Sequence, residues 1–507
     1  MTKFHINKSG KPSVCKAKPG NCPLGSQKSH FDSKEEAEVY LSVQSEQHYG
    51  MLPNTNSKLE NVFSKEHIEI LDRLNENGFK AYFVGGSIRD ALIDKPIHDV
   101  DITTSANPEE IIEAFSDCKV LPTGLKHGTV FIMYKGEQIE ITSFRKEGEY
   151  SDGRRPDEVT FTKDLDEDIN RRDFTINSFA YNPKEGLVDL VNGKADLESG
   201  LIRTVGSPDE RFQEDPLRMM RGLRFASKMG FDIESETEAS IFRNKHLLKN
   251  VSNERIQSEF NGIVMGSGSK EVLMKYSSVL SEVVPEIIPM IGFDQKNPVH
   301  KYDVWEHSAT VVENTEENLV HRLAGVFHDA GKPSTFSTDE KGIGHFFGHA
   351  EESAKIAEVA LTRLKYDNKT KERVVNLIID HDKDLPKKDY KIKKRIFEEG
   401  PERVKDYLQF IRADDKGKNA KKNSRFEQID NKEQMVNEYL NGSPILSRKD
   451  IAVNGKDLSE IGFKGKEIAD MLEKLSLGVI GGNINEKDRL LKIAKKEKWW
   501  LKRFGDK

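Results

Sequence analysis

A change of hydrophobic period divides this chain near residue 210. Before it, helical and β-rich patterns alternate. From Ser64, EHIEILDRLNENGF spaces its apolar residues as an amphipathic helix and leads into AYFVGG, a short β-rich run ending in two glycines. A helical SIRDALID, the alternating HDVDITT, a helix from Asn107 and the strand-like runs GTVFIMYKG and EQIEITSFR follow. Such alternation in a compact stretch predicts an α+β or α/β head. After residue 210 strand signals stop, and RMMRGLRFASKMG, ERIQSEFNGIVMG, ESAKIAEVALTRL and KEIADMLEKLSLGVI carry a helical period to the end, with no internal repeat.

At about 150 residues per domain, the 507 residues suggest three or four domains. With 79 Lys and Arg against 85 Asp and Glu, a net charge of −6, the chain is no globally basic histone-like binder. Charged residues at 32% against 36% apolar describe a heavily solvated protein. No run approaches the roughly 18 apolar residues of a membrane span, and the N-terminus lacks a secretory core, so the expectation is cytoplasmic, with no membrane partner. Basic residues are nevertheless clustered: six lysines and no acid in residues 1–30, fifteen against eight in 383–425, and nine against four in 485–507. Such stretches attract polyanions, although each taken alone also fits a solvated lysine-rich helix face.

The first 60 residues read as an appended segment with one short helix, FDSKEEAEVYLSVQSEQ, capped by Asp32 or Ser33. His5, Cys15, Cys22 and His30 are four zinc-type donors, but their spacing matches no tight zinc pattern, and a tail with incidental cysteines is the preferred reading. Three cysteines, the third being Cys118, are too few to staple the chain by disulfides.

In HDVDITT, a strand would project Asp99 and Asp101 from one face, and Glu140 in EQIEITSFR offers a third carboxylate from a neighbouring strand. Carboxylates so close need cations between them. Hard divalent ions such as Mg²⁺ accept carboxylate and phosphate oxygens together and serve an attacking hydroxyl and a leaving pyrophosphate. Just upstream, Gly85 and Gly86 stand between strand and helix, where bare backbone N–H groups can approach phosphates, and Arg89 adds a cation one turn later.

Together, FVGGSIRDALIDKPIHDVDITTSANP resembles the catalytic signature of the polymerase-β-like nucleotidyltransferases, specifically the family of class II tRNA nucleotidyltransferases and bacterial poly(A) polymerases. INRRDFTINSFAY resembles the family's ribose-recognition motif, which implies roles for Arg171, Arg172, Asp173 and Asn177. KEGEYSDGRRPDEVTF is similar to the flexible loop that CCA-adding members need for the final adenosine, and DLVNGKADL, with Asp189, Gly193 and Asp196, to a hinge element. RFQEDPLRMMRGLRFASKMGF resembles the Glu-Asp-x-x-Arg motif by which protein, rather than a nucleic-acid template, reads the incoming base; the matching residues are Glu214, Asp215 and Arg218. On one helix Asp215 and Arg218 would share a face. NERIQSEF, with Glu254 and Arg255, matches a helix-stabilising element.

A second constellation lies in the helical half: His307, His328 and Asp329, His349, His381 and Asp414. Histidine and aspartate in this order suit one or two divalent metals, transition metals included, and the series resembles HD-type phosphohydrolases, domains that occur fused to bacterial CCA-adding enzymes. Lys332 is placed to contact a phosphate. The run ILSRKDIAVNGKDLSEIGFKGKEIADMLEKLSLGVIGGNINEKDRLLKIAKK looks like the tail of CCA-adding enzymes, with Gly455, Gly462 and Gly465 at turns and lysines facing RNA phosphates.

The fold expected is α+β: a polymerase-β-like nucleotidyltransferase head (64–205) after the extension (1–60), then an all-α neck (206–290), an HD-containing body (291–425) and a tRNA-binding tail (426–507). The function implied is addition of C, C and A to tRNA from CTP and ATP, Mg²⁺-dependent and without a nucleic-acid template, with an additional HD phosphohydrolase activity held open. The alternatives are a poly(A) polymerase, an enzyme adding only CC or only A, and an HD metal phosphohydrolase whose head binds RNA. Oligomeric state is not legible.

Overall fold

The computed structural model describes residues 58–97, 99–121, 124–125, 128–148, 159–418, 425–442 and 444–504, with the short strands Phe4–Ile6, Pro12–Val14 and His30–Phe31. Those three strands form an antiparallel sheet that the sequence reading did not expect, in which His5 pairs with His30. The helix expected near Asp32, both cysteines of the zinc option and most of the loop expected between the strands Arg145–Glu147 and Val159–Phe161 lie outside the described residues. The chain divides into two compact units, Met1–Val251 and Ser252–Lys507. That division falls inside the span read as a neck.

In the first unit a seven-stranded sheet runs in the order Gly186–Val188, Ala180–Asn182, Ala81–Val84, Asp101–Thr104, Glu137–Ser143, Thr129–Tyr134, Lys119–Leu121. Every pairing is antiparallel except that of Asp101–Thr104 with Glu137–Ser143. Ile102, Val130, Ile132 and Ile141 are fully buried, as expected of the β-branched residues that fit a pleated, packed surface. Helix Lys65–Glu76 starts at the Ser64 cap, buries Ile70, Leu71 and Leu74, and leaves its polar face outward. Helix Pro108–Ala114 begins with a capping box between Asn107 and Glu110.

The second unit is helical. Its described helices include Val304–Asn314, Leu319–Phe327, His349–Arg363, Asn368–His381 and Pro401–Lys416, and the two-residue strands Ser337–Thr338 and Gly344–His345 form its one described β-pairing. A separate apolar cluster gathers Leu458, Met471, Leu475, Leu490 and Ala494 from the last three helices, with Phe463 from the turn between the first two of them. Among the described residues no helix is long and apolar enough to cross a membrane.

Candidate active site and candidate metal centre

Strand register assembles the acid cluster. Asp101 opens its strand directly opposite Glu140 on the parallel neighbour, so both carboxyls leave the same face of the sheet. Asp99 lies two residues ahead of the strand rather than within it, so its position follows from the approach of the chain and not from strand alternation. Burial raises the Asp101 carboxyl above its ordinary value; Arg172 opposes the rise and Asp99 adds to it. Glu140 is likewise raised, by burial first and then by Asp101. Among the described residues no ion pair reaches Asp99, Asp101 or Glu140. An all-oxygen donor set whose charges oppose one another fits a hard divalent cation.

Gly85 follows the strand Ala81–Val84 and caps the next helix at φ +78° and ψ −139°, backbone that a side chain does not tolerate. A Cβ there would lie 3.8 Å from Arg172 Nη1 and 3.9 Å from Asp101 Oδ2, which puts this backbone beside both the acid cluster and an arginine. Gly86 begins the next helix. Arg89, expected to face phosphate, is buried instead: its Nε donates to Asp90 Oδ1 (2.9 Å), its Nη1 donates to Asn177 Oδ1 (2.5 Å), and its guanidinium lies over Phe225. It joins the Gly-Gly helix to the second motif.

Within that motif the arginines share Asp168, a fully buried carboxylate the sequence reading missed. Arg171 Nη2 stands 2.7 Å from Asp168 Oδ1 and Arg172 Nη2 3.0 Å from Oδ2. Arg172 Nε is buried without a hydrogen-bond partner among the described residues, an orphan donor beside the Gly85 backbone. Asp173 accepts from Phe174 N–H and Asn177 Nδ2 and pairs with Arg221 (Nη2 2.7 Å). Burial alone would raise the Asp173 carboxyl, yet Arg221, Arg218 and the Asn177 hydrogen bond together outweigh it and pull the pKa down to about 2. Gly193 admits no side chain, since a Cβ would fall 2.3 Å from the Thr175 carbonyl oxygen.

The base-reading motif departs from the single helix expected. Helix Pro208–Glu214 ends at Asp215, which is extended (φ −140°, ψ 97°), and Leu217–Met229 starts after Pro216. Proline pushes the residue before it out of the α region, so Asp215 sits in a corner between two helices. Its carboxylate accepts from Leu217 N–H (3.1 Å). Arg218 pairs with Glu214 (Nη1 to Oε2, 2.5 Å), while its Nη2 donates to the Arg171 carbonyl (3.1 Å). The Glu214–Arg218 corner is therefore tied to the segment that carries Arg171.

In the second unit, helix ends bring the HD set together. His307 Nε2 is 3.0 Å from Asp414 Oδ1, 3.5 Å from Asp329 Oδ2 and 3.2 Å from His328 Nε2. His349 Nε2 is 3.5 Å from Asp329 Oδ1 and 3.3 Å from His381 Nε2. All six residues are buried. Each Nδ1 faces a backbone carbonyl: His307 that of Gly417 (3.3 Å), His328 that of Gly325 (3.0 Å), His349 that of Phe346 (2.9 Å) and His381 that of Ile378 (2.5 Å). A carbonyl only accepts, so each Nδ1 is a donor there, and each ring turns its Nε2 inward to the cluster. Nε2 atoms 3.2 and 3.3 Å apart, with the Asp329 carboxylate beside both pairs, are spaced to ligate a cation between them. Donors of this kind fit a divalent transition metal, with Asp329 shared between the two groups.

Lysines complete the surroundings. Lys332 Nζ is 2.7 Å from Asp329 Oδ2 and donates to Gln295 Oε1 (2.8 Å), so it is committed at the carboxylate. Lys418, which the sequence reading passed over although it stands four residues after Asp414, pairs with that aspartate. Burial would raise the Asp329 and Asp414 carboxyls, but both are held well below the ordinary range, Asp329 by His328 and Lys332 and Asp414 by Lys418 and His307. His300, also missed, lies with its ring 6.0 Å from that of His307, and burial together with Lys332 lowers its pKa to about 3.

Comparison with known proteins finds relatives along most of the chain. Residues 81–203 match the family described as Poly A polymerase head domain, 230–290 that described as "Probable RNA and SrmB- binding site of polymerase A", and 334–494 tRNA nucleotidyltransferase domain 2. The last match begins beyond His307, His328 and Asp329. The CCA-adding enzyme of Ligilactobacillus salivarius is 35% identical over 443 residues, 85% of this chain and 96% of that protein. That of Staphylococcus saprophyticus is 34% identical over 432 residues, 84% and 96%. The crystal structure of the Bacillus stearothermophilus CCA-adding enzyme in complex with CTP matches 87% of this chain and 98% of its own with a TM-score of 0.64 and 27% identity.

Proposed function

The chain belongs to the family of CCA-adding enzymes, and from that premise we propose which of its residues do the work. It is a tRNA nucleotidyltransferase that adds cytidine and adenosine to tRNA 3′ ends. In each addition the terminal tRNA hydroxyl attacks the α-phosphate of CTP or ATP, a phosphodiester forms, and pyrophosphate leaves. Asp99, Asp101 and Glu140 would hold Mg²⁺, which would supply positive charge at the attacking and leaving oxygens. The observation that carries this is the register pair Asp101 and Glu140, two raised carboxyls on one sheet face with no ion-paired cation among the described residues.

Around them, the Gly85 and Gly86 backbone and the orphan Arg172 donor take triphosphate oxygens, with Arg171 steadied on Asp168. Asp173 and Asn177 hold the ribose, and Arg89 sets the Asn177 amide. Asp215 and Arg218, with Glu214 fixing the arginine, present an acceptor and donors to cytosine and adenine edges that uracil and guanine cannot match. In this reading residues 64–205 are the catalytic head, 206–290 the neck, 291–425 the metal-bearing body and 426–507 the tail that meets tRNA. Asp99→Ala and Asp101→Ala each abolish addition of both C and A while leaving tRNA affinity nearly intact; substantial incorporation by either variant contradicts the assignment.

A second reading applies to the body alone. The four inward histidine nitrogens favour a divalent transition metal held by His307, His328, Asp329, His349, His381 and Asp414, which would supply activated water for phosphoester hydrolysis.

A further inference from the structure

The last described helix, Lys487–Phe504, is used on one side only. Leu490 and Ala494, one turn apart, are fully buried in the apolar cluster with Phe463, Met471 and Leu475. At 3.6 residues per turn, the side opposite that stripe carries Lys492, Lys495, Lys496, Trp499, Lys502 and Arg503 within an arc of about 120°. All six are exposed. Other cations of this helix are engaged elsewhere, Lys487 with Asp457 and Lys498 with Glu467, whereas among the described residues no ion pair reaches Lys492, Lys495, Lys496 or Lys502. Trp499 and Trp500 are 53% and 52% exposed, with rings 6.4 Å apart at 84°, and the Arg503 guanidinium lies 5.0 Å from the Trp499 ring centre.

Two half-exposed indoles leave apolar area in water. Unengaged lysines one turn before the indoles and a lysine and arginine one turn after them make the ridge a cationic track interrupted by aromatic faces. Nucleic acid complements both parts, because phosphates neutralise the lysines and unpaired bases stack on the indoles. An anionic lipid surface also attracts lysine and tryptophan, but an interfacial helix must lay its apolar stripe into the lipid, and here that stripe is already inside the protein. We propose that this ridge is an RNA-stacking surface, in which Trp499 and Trp500 receive unpaired bases of the tRNA while Lys492, Lys495, Lys496 and Lys502 meet its phosphates. The proposal rests on the reading of the chain as a tRNA-binding enzyme.

The chain's own fluorescence provides the test. Of three tryptophans, Trp305 is 1% exposed and donates its indole N–H to the Leu273 carbonyl, so it gives a steady background, and a change in emission reports Trp499 and Trp500. Full-length protein is titrated, without nucleotide, with tRNA lacking its 3′ CCA and separately with phosphatidylserine vesicles. Emission changes with tRNA and not with vesicles. The Trp499→Ala/Trp500→Ala variant loses about tenfold in tRNA affinity, a typical effect of losing a stacked base, keeps its KM for CTP, and is restored in large part by Trp499→Phe/Trp500→Phe. Emission or affinity indifferent to tRNA overturns the proposal, as does a response to vesicles alone or a phenylalanine variant as weak as the alanine one. Because binding is read without catalysis, failure of CCA addition with stacking intact would strike the catalytic reading and leave this one standing.

Discussion

Asp173 shows what single residues reveal and what they conceal. Its place in RRDFTIN made it a candidate for ribose recognition, but the cation that keeps it ionised, Arg221, stands 48 residues away and reads in sequence as one more charge on a helix. Asp168 escaped for the same reason, since only folding places one carboxylate between Arg171 and Arg172. The pH consequence follows from direction. Asp173 is held at about 2, below its ordinary 3.8, so its pairing contributes stability that is present above about pH 4 and lost as pH falls towards 2. Arg221→Ala therefore lowers stability at pH 7 by about 1–3 kcal/mol. Urea denaturation of variant and wild type should show that difference shrinking as the pH is lowered towards 2; a difference that grows in acid would contradict the pairing.

Elements were legible where period and punctuation agreed. The paired strands through Asp101 and Glu140 and the helix that His349 opens were expected from alternation and apolar spacing, whereas the helices of His307 and His381 were covered only by the general helical period after residue 210. The helix break at Asp215 and Pro216 was there to be read, because a proline disfavours helix at the residue before it, but the strong apolar period of RMMRGLRF drew one helix across it. Nothing in the histidine spacing revealed that every Nδ1 would find a carbonyl, since that depends on where each helix ends. The consequence is measurable. Purified protein carries a divalent transition metal by elemental analysis, and the His328→Ala/Asp329→Ala variant loses both that metal and any metal-dependent phosphodiesterase activity without stopping CCA addition. A metal-free wild type would leave these residues a structural role.

Across the whole molecule, the order of motifs along the chain carried more than composition did. A net charge of −6 excludes only a globally basic histone-like binder; the chain belongs to a family that acts on tRNA, and the local excess of nine basic against four acidic residues in 485–507 is the better guide. The short strands near residues 4–31 went unforeseen because strands of two or three residues leave no periodic trace. The central claim is that this protein itself selects C, C and A through Asp215 and Arg218. Its most direct test gives tRNA lacking CCA and all four nucleoside triphosphates to wild type and to Arg218→Ala, and sequences the 3′ ends. Wild type should end in CCA, and the variant, still folded and still extending, should incorporate U and G several-fold more often relative to C and A. Unchanged ratios in a folded variant, or a wild type that adds only a run of A, would contradict the account.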